Sequence, residues 1–146
     1  MSQSRFGVPS ILKRLPILHA RTGTVTGPPP LPGSWQCDLA TEQLTWSSGV
    51  FGLFGIDLGT PLDRRDVLTL YTPDSRDLLE RVRSNAIARC GSFTIETEIY
   101  RLDGETRWIR IVADVARGAA GHPVLLYGTK QDVTDEIAAG RAPFTG

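Results

Sequence analysis

The chain of 146 residues carries few side chains that could combine in nucleophilic or metal chemistry. It has two cysteines, Cys37 and Cys90, and two histidines, His19 and His122, and no two of these lie close in sequence. Two cysteines exclude a disulfide framework and a cysteine-only zinc site. This sparing use of cysteine fits a reducing cytoplasm, which we therefore expect as the location of the protein.

Glu96 and Glu98 are the nearest approach to a pair of catalytic carboxylates, because they are two residues apart. General acid–base catalysis needs a further titratable group held at hydrogen-bond distance. Side chains two apart in a strand share one face, and on an open sheet we expect that face to meet solvent. No histidine, lysine or metal set joins the two glutamates, so we expect a non-catalytic protein.

The composition is that of one ordinary domain, with 40% hydrophobic and 22% charged residues. The 16 basic and 16 acidic residues balance, but the basic ones are enriched before the first acidic residue, Asp38. The remainder is mildly acidic, which does not favour a nucleic-acid partner. The longest apolar stretches are far shorter than the ~20 residues that a transmembrane helix requires, so we expect no transmembrane segment.

Composition and periodicity divide the chain into four parts. Residues 1–21 are a basic segment with a short amphipathic helix, and residues 22–32 are a stiff linker rich in proline and glycine. Residues 33–139 are the folded domain, and residues 140–146 are a C-terminal tail. The N-terminal helix either covers part of the domain or makes a dimer or membrane-surface contact.

Hydrophobic periodicity predicts five strands and several helices in the folded domain. A period of two indicates strands, and a period near 3.6 indicates amphipathic helices. The expected strands are 34–39, 44–46, 93–100, 108–115 and 124–133, and the expected helices are 48–54, 63–71, 73–89 and 135–139. Two strands, then helices, then three strands predict an α+β fold with one five-stranded antiparallel sheet and helices packed on one face.

Several separated stretches resemble the PAS domain family, in the branch that opens with Gly-x-Trp and closes with Asp-Ile-Thr. GSWQCDLATEQLTWS at 33–47 resembles the opening hairpin, TEIYRLDGETRWIRI at 97–111 the central hairpin, and YGTKQDVTDE at 127–136 the final strand and exit motif. The chain departs from the family at Thr72, where histidine is usual. The resemblance implies strand order 2-1-5-4-3 and a free-standing, non-catalytic sensor or interaction module of bacterial signal transduction.

In this family the sheet and its helices enclose a pocket for a small molecule, or else pack solid and serve pairing. The candidate pocket residues are apolar or aromatic, and they are Phe51, Val82, Phe93, Ile95, Trp108 and Tyr127. Such side chains suit a ligand cavity as well as an ordinary core. The alternative function is therefore a structural homodimerisation module with a filled core and no ligand.

Two cofactors known in the family are not favoured by the residues present. Haem needs an axial ligand, most simply a histidine on the long helix, and residues 74–89 contain none. Flavin photochemistry of the light-oxygen-voltage type needs a cysteine in Asn-Cys-Arg, whereas Cys90 lies in Arg-Cys-Gly. No cofactor is predicted, and an unknown small molecule stays open.

The resemblance also implies a route for signal transfer. In similar proteins the Asp and Thr of the exit motif tie the end of the sheet to the neighbouring hairpin and to the outgoing helix. Asp132 and Thr134 hold these positions, and Arg107 or the backbone beside Trp108 is the expected partner of Asp132. A helix cap alone is the alternative. The expected partners are a second copy of the chain or a signalling protein such as a histidine kinase or response regulator.

Overall fold

The structure is a computed structural model that describes residues 30–146; the predicted N-terminal segment and most of the linker lie outside the described residues. The strands are β1 Gly33–Asp38, β2 Leu44–Trp46, β3 Phe93–Tyr100, β4 Thr106–Arg117 and β5 Pro123–Asp132. The helices are α1 Ser48–Phe54, α2 Arg64–Leu68, α3 Pro73–Arg89 and α4 Thr134–Ala138. The five strands form one antiparallel sheet in the order β2-β1-β5-β4-β3, which confirms the predicted fold class and strand order.

The opening hairpin forms as its alternating pattern predicts. Along β1 the side chains of Trp35 and Cys37 face inward and are buried, while their neighbours are exposed. The turn is held by the carboxylate of Asp38, which accepts hydrogen bonds from the backbone N–H groups of Ala40 and Thr41 at 2.9 and 3.0 Å. An aspartate that bonds to the backbone two and three residues later is a common way to stabilise such a turn.

The helices between the strands begin and end at residues suited to those positions. Gly55 ends α1 with a φ of 70°, a left-handed conformation that costs glycine little. Asp63 caps α2 by accepting a hydrogen bond from Arg65 N. Pro73 occupies the first turn of α3. Among the described residues, no helix is long and apolar enough to cross a membrane.

Helix α2 is shorter than the predicted helix over 63–71, because a long-range contact recruits the residues that follow it. Tyr71 forms an isolated β-bridge with Ile99 of β3. Next to it, the N–H of Thr72 donates to the carbonyl of Glu98 at 3.0 Å. The backbone there is satisfied by the sheet edge and not by further helical turns.

One face of the sheet packs against the helices and forms the core. Aromatic side chains fill its centre, where Trp46 stacks on Phe54 with ring centres 4.8 Å apart and meets Phe51 edge-on at 5.3 Å. Tyr71 meets Phe54 edge-on at 5.9 Å. Aromatic pairs of this kind contribute about 0.5–1.5 kcal/mol each beyond the area they bury.

The outer edge of β3 is covered by other parts of the chain. Phe144 in the C-terminal tail accepts a hydrogen bond from Glu96 N at 2.7 Å, and Leu70 accepts one from Tyr100 N at 2.7 Å. Ser75 Oγ accepts one from Glu98 N at 2.8 Å. The tail therefore lies along the sheet, and the unpaired N–H groups of an edge strand gain partners.

Glu96 differs from the sequence expectation, since it does not face solvent and is only 2% exposed. Its carboxylate accepts hydrogen bonds from the guanidinium groups of Arg110 and Arg141 and from the N–H of Phe144. The C-terminal tail supplies two of these donors and covers the side chain. Burial raises the pKa of Glu96, but the bonds from Arg141, Phe144 and Arg110 outweigh it and lower the pKa.

Candidate functional site

A cavity of about 50 Å³ lies between the inner face of the sheet and helices α2 and α3. Its apolar wall consists of Leu44, Val67, Leu68, Leu79, Phe93, Ile111 and Leu126. Its polar or titratable lining consists of Trp35, Cys37, Arg64, Tyr71, Arg83 and Lys130. Since one buried water needs ~10–15 Å³, the cavity has room for about three to five waters or for a small organic group.

Lys130 is the most unusual residue of this lining, because it is a lysine only 7% exposed inside a core. The alternation along β5 turns Leu126, Gly128 and Lys130 to the inner face, where Lys130 pairs with Gly33 of β1 and Ile111 of β4. Its Nζ donates a hydrogen bond to Tyr71 Oη at 3.0 Å. Buried lysines are rare unless they are paired, so this one marks the cavity as a candidate site.

Four aromatic rings surround the ammonium group and form what we call the lysine cage. The Nζ of Lys130 lies 5.3 Å from the ring centre of Trp35, 5.4 Å from Phe54, 5.7 Å from Trp46 and 5.8 Å from Tyr71. The faces of aromatic rings attract a cation within about 6 Å. The lysine cage therefore favours the charged form of Lys130, whereas burial disfavours that form.

Burial, followed by repulsion from Arg64, lowers the pKa of Lys130 to about 7. Burial raises the pKa of Tyr71 far above neutrality and also raises the pKa of the Cys37 thiol, although Arg83 opposes the change at Cys37. The tyrosine and the cysteine therefore stay uncharged near neutral pH. Lys130 is the cavity group whose charge changes in that range.

The two arginines of the lining differ from Lys130 in having carboxylate partners. Arg64 forms ion pairs with Glu42 at 3.3 Å and with Glu80, and Arg83 forms one with Glu42 at 3.1 Å. Glu42 joins the two arginines from the turn between β1 and β2. Their charges are thus balanced within the chain.

Two indole N–H groups near the cavity have no hydrogen-bond acceptor among the described residues. They are Nε1 of Trp35, which lines the cavity, and Nε1 of Trp46. An unsatisfied buried donor costs about 1–3 kcal/mol. Together with Lys130, these groups give this part of the core an excess of hydrogen-bond donors.

The pocket residues expected from the sequence occupy different parts of the molecule. Phe93 lines the cavity. Phe51 and Ile95 are buried in the surrounding core, and the half-buried Val82 packs against that core, but none of these three lines the cavity.

Trp108 and Tyr127 lie on the opposite face of the sheet. Their neighbours Ile109 and Leu126 take the inward positions on β4 and β5, and strand geometry then turns Trp108 and Tyr127 outward. Tyr127 is 41% exposed and Trp108 is half-buried. Neither side chain reaches the cavity.

Sequence reasoning missed the polar half of the cavity. One signal for Lys130 was available, because it follows Leu126 and Gly128 at intervals of two in a predicted strand. Assigning Leu126 to the inner face would have placed a lysine there as well. Arg64 and Arg83 gave no such signal, since they come from separate helices that converge only in the folded chain.

The end of the sheet is fastened by what we call the exit contact, formed by Arg107, Asp132 and Thr134. Asp132 Oδ2 accepts a hydrogen bond from Arg107 Nη1 at 2.9 Å, and Asp132 Oδ1 accepts one from Thr134 N at 2.8 Å. Thr134 Oγ1 accepts one from Trp108 N at 2.9 Å. These bonds join β4, β5 and α4, and they include the pairing of Arg107 with Asp132 that the sequence suggested.

The cofactor motifs considered in the sequence can also be placed in the structure. The residues that line the cavity include no histidine, which is the simplest axial ligand for haem. Cys90 ends α3 with a φ of 50° and lies outside the lining, whereas Cys37 is the cysteine at the cavity. Within residues 30–146 no group of histidine, cysteine and acidic residues could hold a metal ion. The lining therefore does not fit a histidine-ligated haem.

The sheet order, the helices packed on one face and the exit contact define a PAS-type domain, a regulatory sensor module of signal-transduction proteins. Residues 43–130 match the family described as PAS fold. Because this match covers more than half of the chain, the chain belongs to the PAS fold family, as the resemblance in its sequence indicated.

Relatives of known class agree with this assignment. The chain is 30% identical over 104 residues to the sensor protein FixL of Bradyrhizobium diazoefficiens, an alignment that covers 71% of this chain and 21% of that protein. The N-terminal domain of a diguanylate cyclase with PAS/PAC sensor from Marinobacter aquaeolei superposes with a TM-score of 0.68 at 19% identity, covering 73% of this chain and 99% of that one. A sensory box histidine kinase/response regulator from Burkholderia thailandensis superposes with a TM-score of 0.64 at 20% identity, covering 74% of this chain and 81% of that one. The chain thus spans about a fifth of the length of the sensor protein it matches.

Proposed function

We propose that this domain senses a small molecule that binds in the cavity, and that it passes the change to a signalling partner through the exit contact. The observation that carries the proposal is the cavity itself, where polar groups from the sheet, α2 and the segment after α2 converge inside an apolar wall. Ligand sites have this character, whereas a filled core of a pairing module has no need of convergent polar groups.

The route from the cavity to the surface runs along β5. Lys130 and Asp132 are two residues apart on this strand and therefore on the same face. A ligand that moves Lys130 would act on the segment that positions Asp132, which holds Arg107 and the first residue of α4. Allosteric coupling between two sites is typically about 1–3 kcal/mol. The proposal requires a coupling of this size between the cavity and the exit contact.

The test is native mass spectrometry of the full chain after exposure to a metabolite extract, with a cavity-filling variant beside it. Leu44 lines the cavity and is half-buried, so Leu44→Phe should reduce the space for a ligand. The matched control is Leu53→Phe, since Leu53 packs against the core but does not line the cavity. A mass adduct that survives Leu53→Phe and disappears with Leu44→Phe supports sensing; no adduct, or one indifferent to both changes, contradicts it.

Pairing with a second copy of the chain is a second candidate function, as the sequence suggested. It is favoured by two exposed apolar side chains on neighbouring strands of the outer sheet face, Val112 at 39% and Tyr127 at 41% exposure. Exposed apolar groups on one face are typical of interaction surfaces. Tyr127→Lys should lower the solution mass measured by light scattering if this face joins two copies.

A further inference from the structure

We propose that the ligand of the cavity is a small organic carboxylate with a single negative charge, bound with its oxygens at Lys130 and its apolar part against the wall of the cavity. This inference rests on the proposed function, because it names the chemical class of ligand for the same cavity. It follows from three independent properties of the lining: its charge, its hydrogen-bond donors and its apolar surface.

The cavity lining contains one basic group, Lys130, that has no negatively charged partner among the described residues. Arg64 and Arg83 are balanced by Glu42 and Glu80, as described above. Among residues 30–146, no carboxylate forms an ion pair with Lys130, whose hydrogen bond goes to the neutral hydroxyl of Tyr71. A buried charge without a counter-charge is costly, and a bound anion would remove that cost.

The hydrogen-bonding groups call for an acceptor and not for a donor. The ammonium of Lys130 has three N–H donors, of which one reaches Tyr71 Oη. Trp35 is a lining residue, and its buried Nε1 has no acceptor in the described part of the chain. A carboxylate is an acceptor only and can serve several donors at once, whereas a cationic ligand would meet Lys130 and two arginines.

The remaining surface restricts the size and the charge of the ligand. The rest of the cavity wall is apolar, with Leu79, Phe93 and Ile111 among its residues, and the cavity is about 50 Å³. A second carboxylate would lie against this wall, or against arginines that already have partners. A short aliphatic acid satisfies both limits, and acetate and propionate are suitable probes.

Binding should depend on pH because the anion needs a protonated Lys130. Around it, Arg64 and Arg83 are paired with Glu42 and Glu80, and burial keeps Tyr71 and Cys37 neutral between pH 6 and pH 8, so the lysine dominates the change. With the pKa of Lys130 at about 7, its charged fraction falls about tenfold between these two values. The association constant for propionate should fall by about the same factor.

The experiment compares acids with neutral molecules of the same shape by isothermal titration calorimetry on the full chain. Acetate and propionate should bind, while acetamide, propionamide and the dianion malonate should bind at least about tenfold more weakly, since a charge-assisted hydrogen bond is lost or a charge is left unpaired. Lys130→Met should remove the preference for acids. The control is Arg65→Met on α2, whose side chain is 84% exposed and lies outside the lining.

A second measurement does not depend on the variant folding well. Lys13 and Lys130 are the only lysines in the chain, so lysine labelled with carbon-13 gives two sets of signals. Propionate should raise the titration midpoint of the Lys130 side-chain signals, while propionamide leaves it unchanged.

The outcomes separate this inference from the proposed function. If amides bind as tightly as acids, or if Lys130→Met leaves propionate binding intact, the carboxylate assignment is wrong and sensing at the cavity stands. If no probe binds but a metabolite adduct is lost in Leu44→Phe, the carboxylate assignment is again wrong and sensing at the cavity stands. If no probe binds and no adduct forms, both proposals fail.

Discussion

At the scale of single residues, Lys130 determines the chemistry of the cavity. It combines burial, a hydrogen bond to Tyr71 and four aromatic neighbours in the lysine cage. The aromatic rings and the hydroxyl favour the ammonium, while burial and Arg64 oppose it and keep its pKa low. The residue is therefore maintained at some cost to stability, as is common at functional sites.

The free energy of unfolding should rise with pH above neutrality because of this lysine. In the unfolded chain Lys130 has an ordinary pKa of 10.5, and in the folded chain a pKa of about 7. Between these values the unfolded state binds more protons, so stability increases with pH by at most ~1.4 kcal/mol per pH unit and is lost as pH falls towards 7.

Lys130→Met should remove this slope and should stabilise the protein at pH 6 by about 1–4 kcal/mol, as replacing buried charges by apolar groups often does. Urea denaturation at pH 6 and pH 9 measures both effects, with Arg65→Met as the control that keeps the slope. An unchanged slope in Lys130→Met would show that another group titrates.

At the scale of elements, the pairing of β4 with β5 depends on Gly128. A Cβ atom at this position would lie 1.8 Å from the carbonyl oxygen of Val112 and 3.0 Å from Ala113 Cα. Backbone of the neighbouring strand cannot move aside without breaking the ladder in which Ala113 and Gly128 are partners. The close approach of the two strands therefore requires a residue without a side chain.

Gly128→Ala should destabilise the fold by more than about 3 kcal/mol, because overpacking against backbone cannot be relieved by a rotamer change. Gly52→Ala in α1 is the matched control, since its Cβ would have no neighbour within 4 Å. That change should stabilise by about 0.5–1 kcal/mol through helix propensity. Thermal denaturation distinguishes the two, and similar melting temperatures would contradict the prediction.

The exit contact is the element through which we expect signals to leave. Asp132→Ala removes the acceptor for Arg107 and for the N–H of Thr134. Backbone amides of residues 133–138 should then exchange with solvent at least about tenfold faster, because each lost bond to a charged group is worth about 1.5–3 kcal/mol.

Hydrogen exchange measured by mass spectrometry tests this loss. Asp114→Asn is the control, because the Asp114 carboxylate is exposed on β4 and, within residues 30–146, accepts a bond only from the neighbouring Val115 N. Equal exchange rates in residues 133–138 of the two variants would remove the exit contact as a connection between sheet and helix.

At the scale of the whole molecule, the feature to test is the surface that binds a partner. The sequence predicts that the N-terminal amphipathic helix covers the sheet or mediates a dimer, and this segment lies outside the described residues. The described chain begins on the outer side of the sheet, where Gln131 Nε2 donates to Pro30 O at 2.9 Å. Pro30 therefore lies next to the outer face of the sheet.

Deleting residues 1–29 tests the dimer version of that prediction. If the N-terminal segment pairs two copies through apolar burial, the deletion should halve the solution mass measured by light scattering. An unchanged mass would leave the covering role, in which case the deletion should increase the exposure of Val112 and Tyr127 to solvent, as measured by hydrogen exchange.

The fold was accessible from sequence because its information is local. Alternation over 93–100 predicted β3 with the bounds that the structure has, and the long helix begins and ends as expected. The cavity was only partly accessible, since Phe93 was among the residues proposed from the sequence and Lys130 was not. Which face of a strand is buried depends on register with β1 and β4, and the convergence of Arg64 with Arg83 depends on packing between helices. Neither follows from spacing along the chain.

The covered edge of β3 has a consequence for how copies of the protein behave when they are concentrated. An uncovered edge strand is a template on which further chains can add and grow into aggregates. Here Phe144, Ser75 and Leu70 already take the outward N–H groups of Glu96, Glu98 and Tyr100. A strand from another copy could pair with this edge only after it had displaced the tail and broken the bonds of the tail to Glu96.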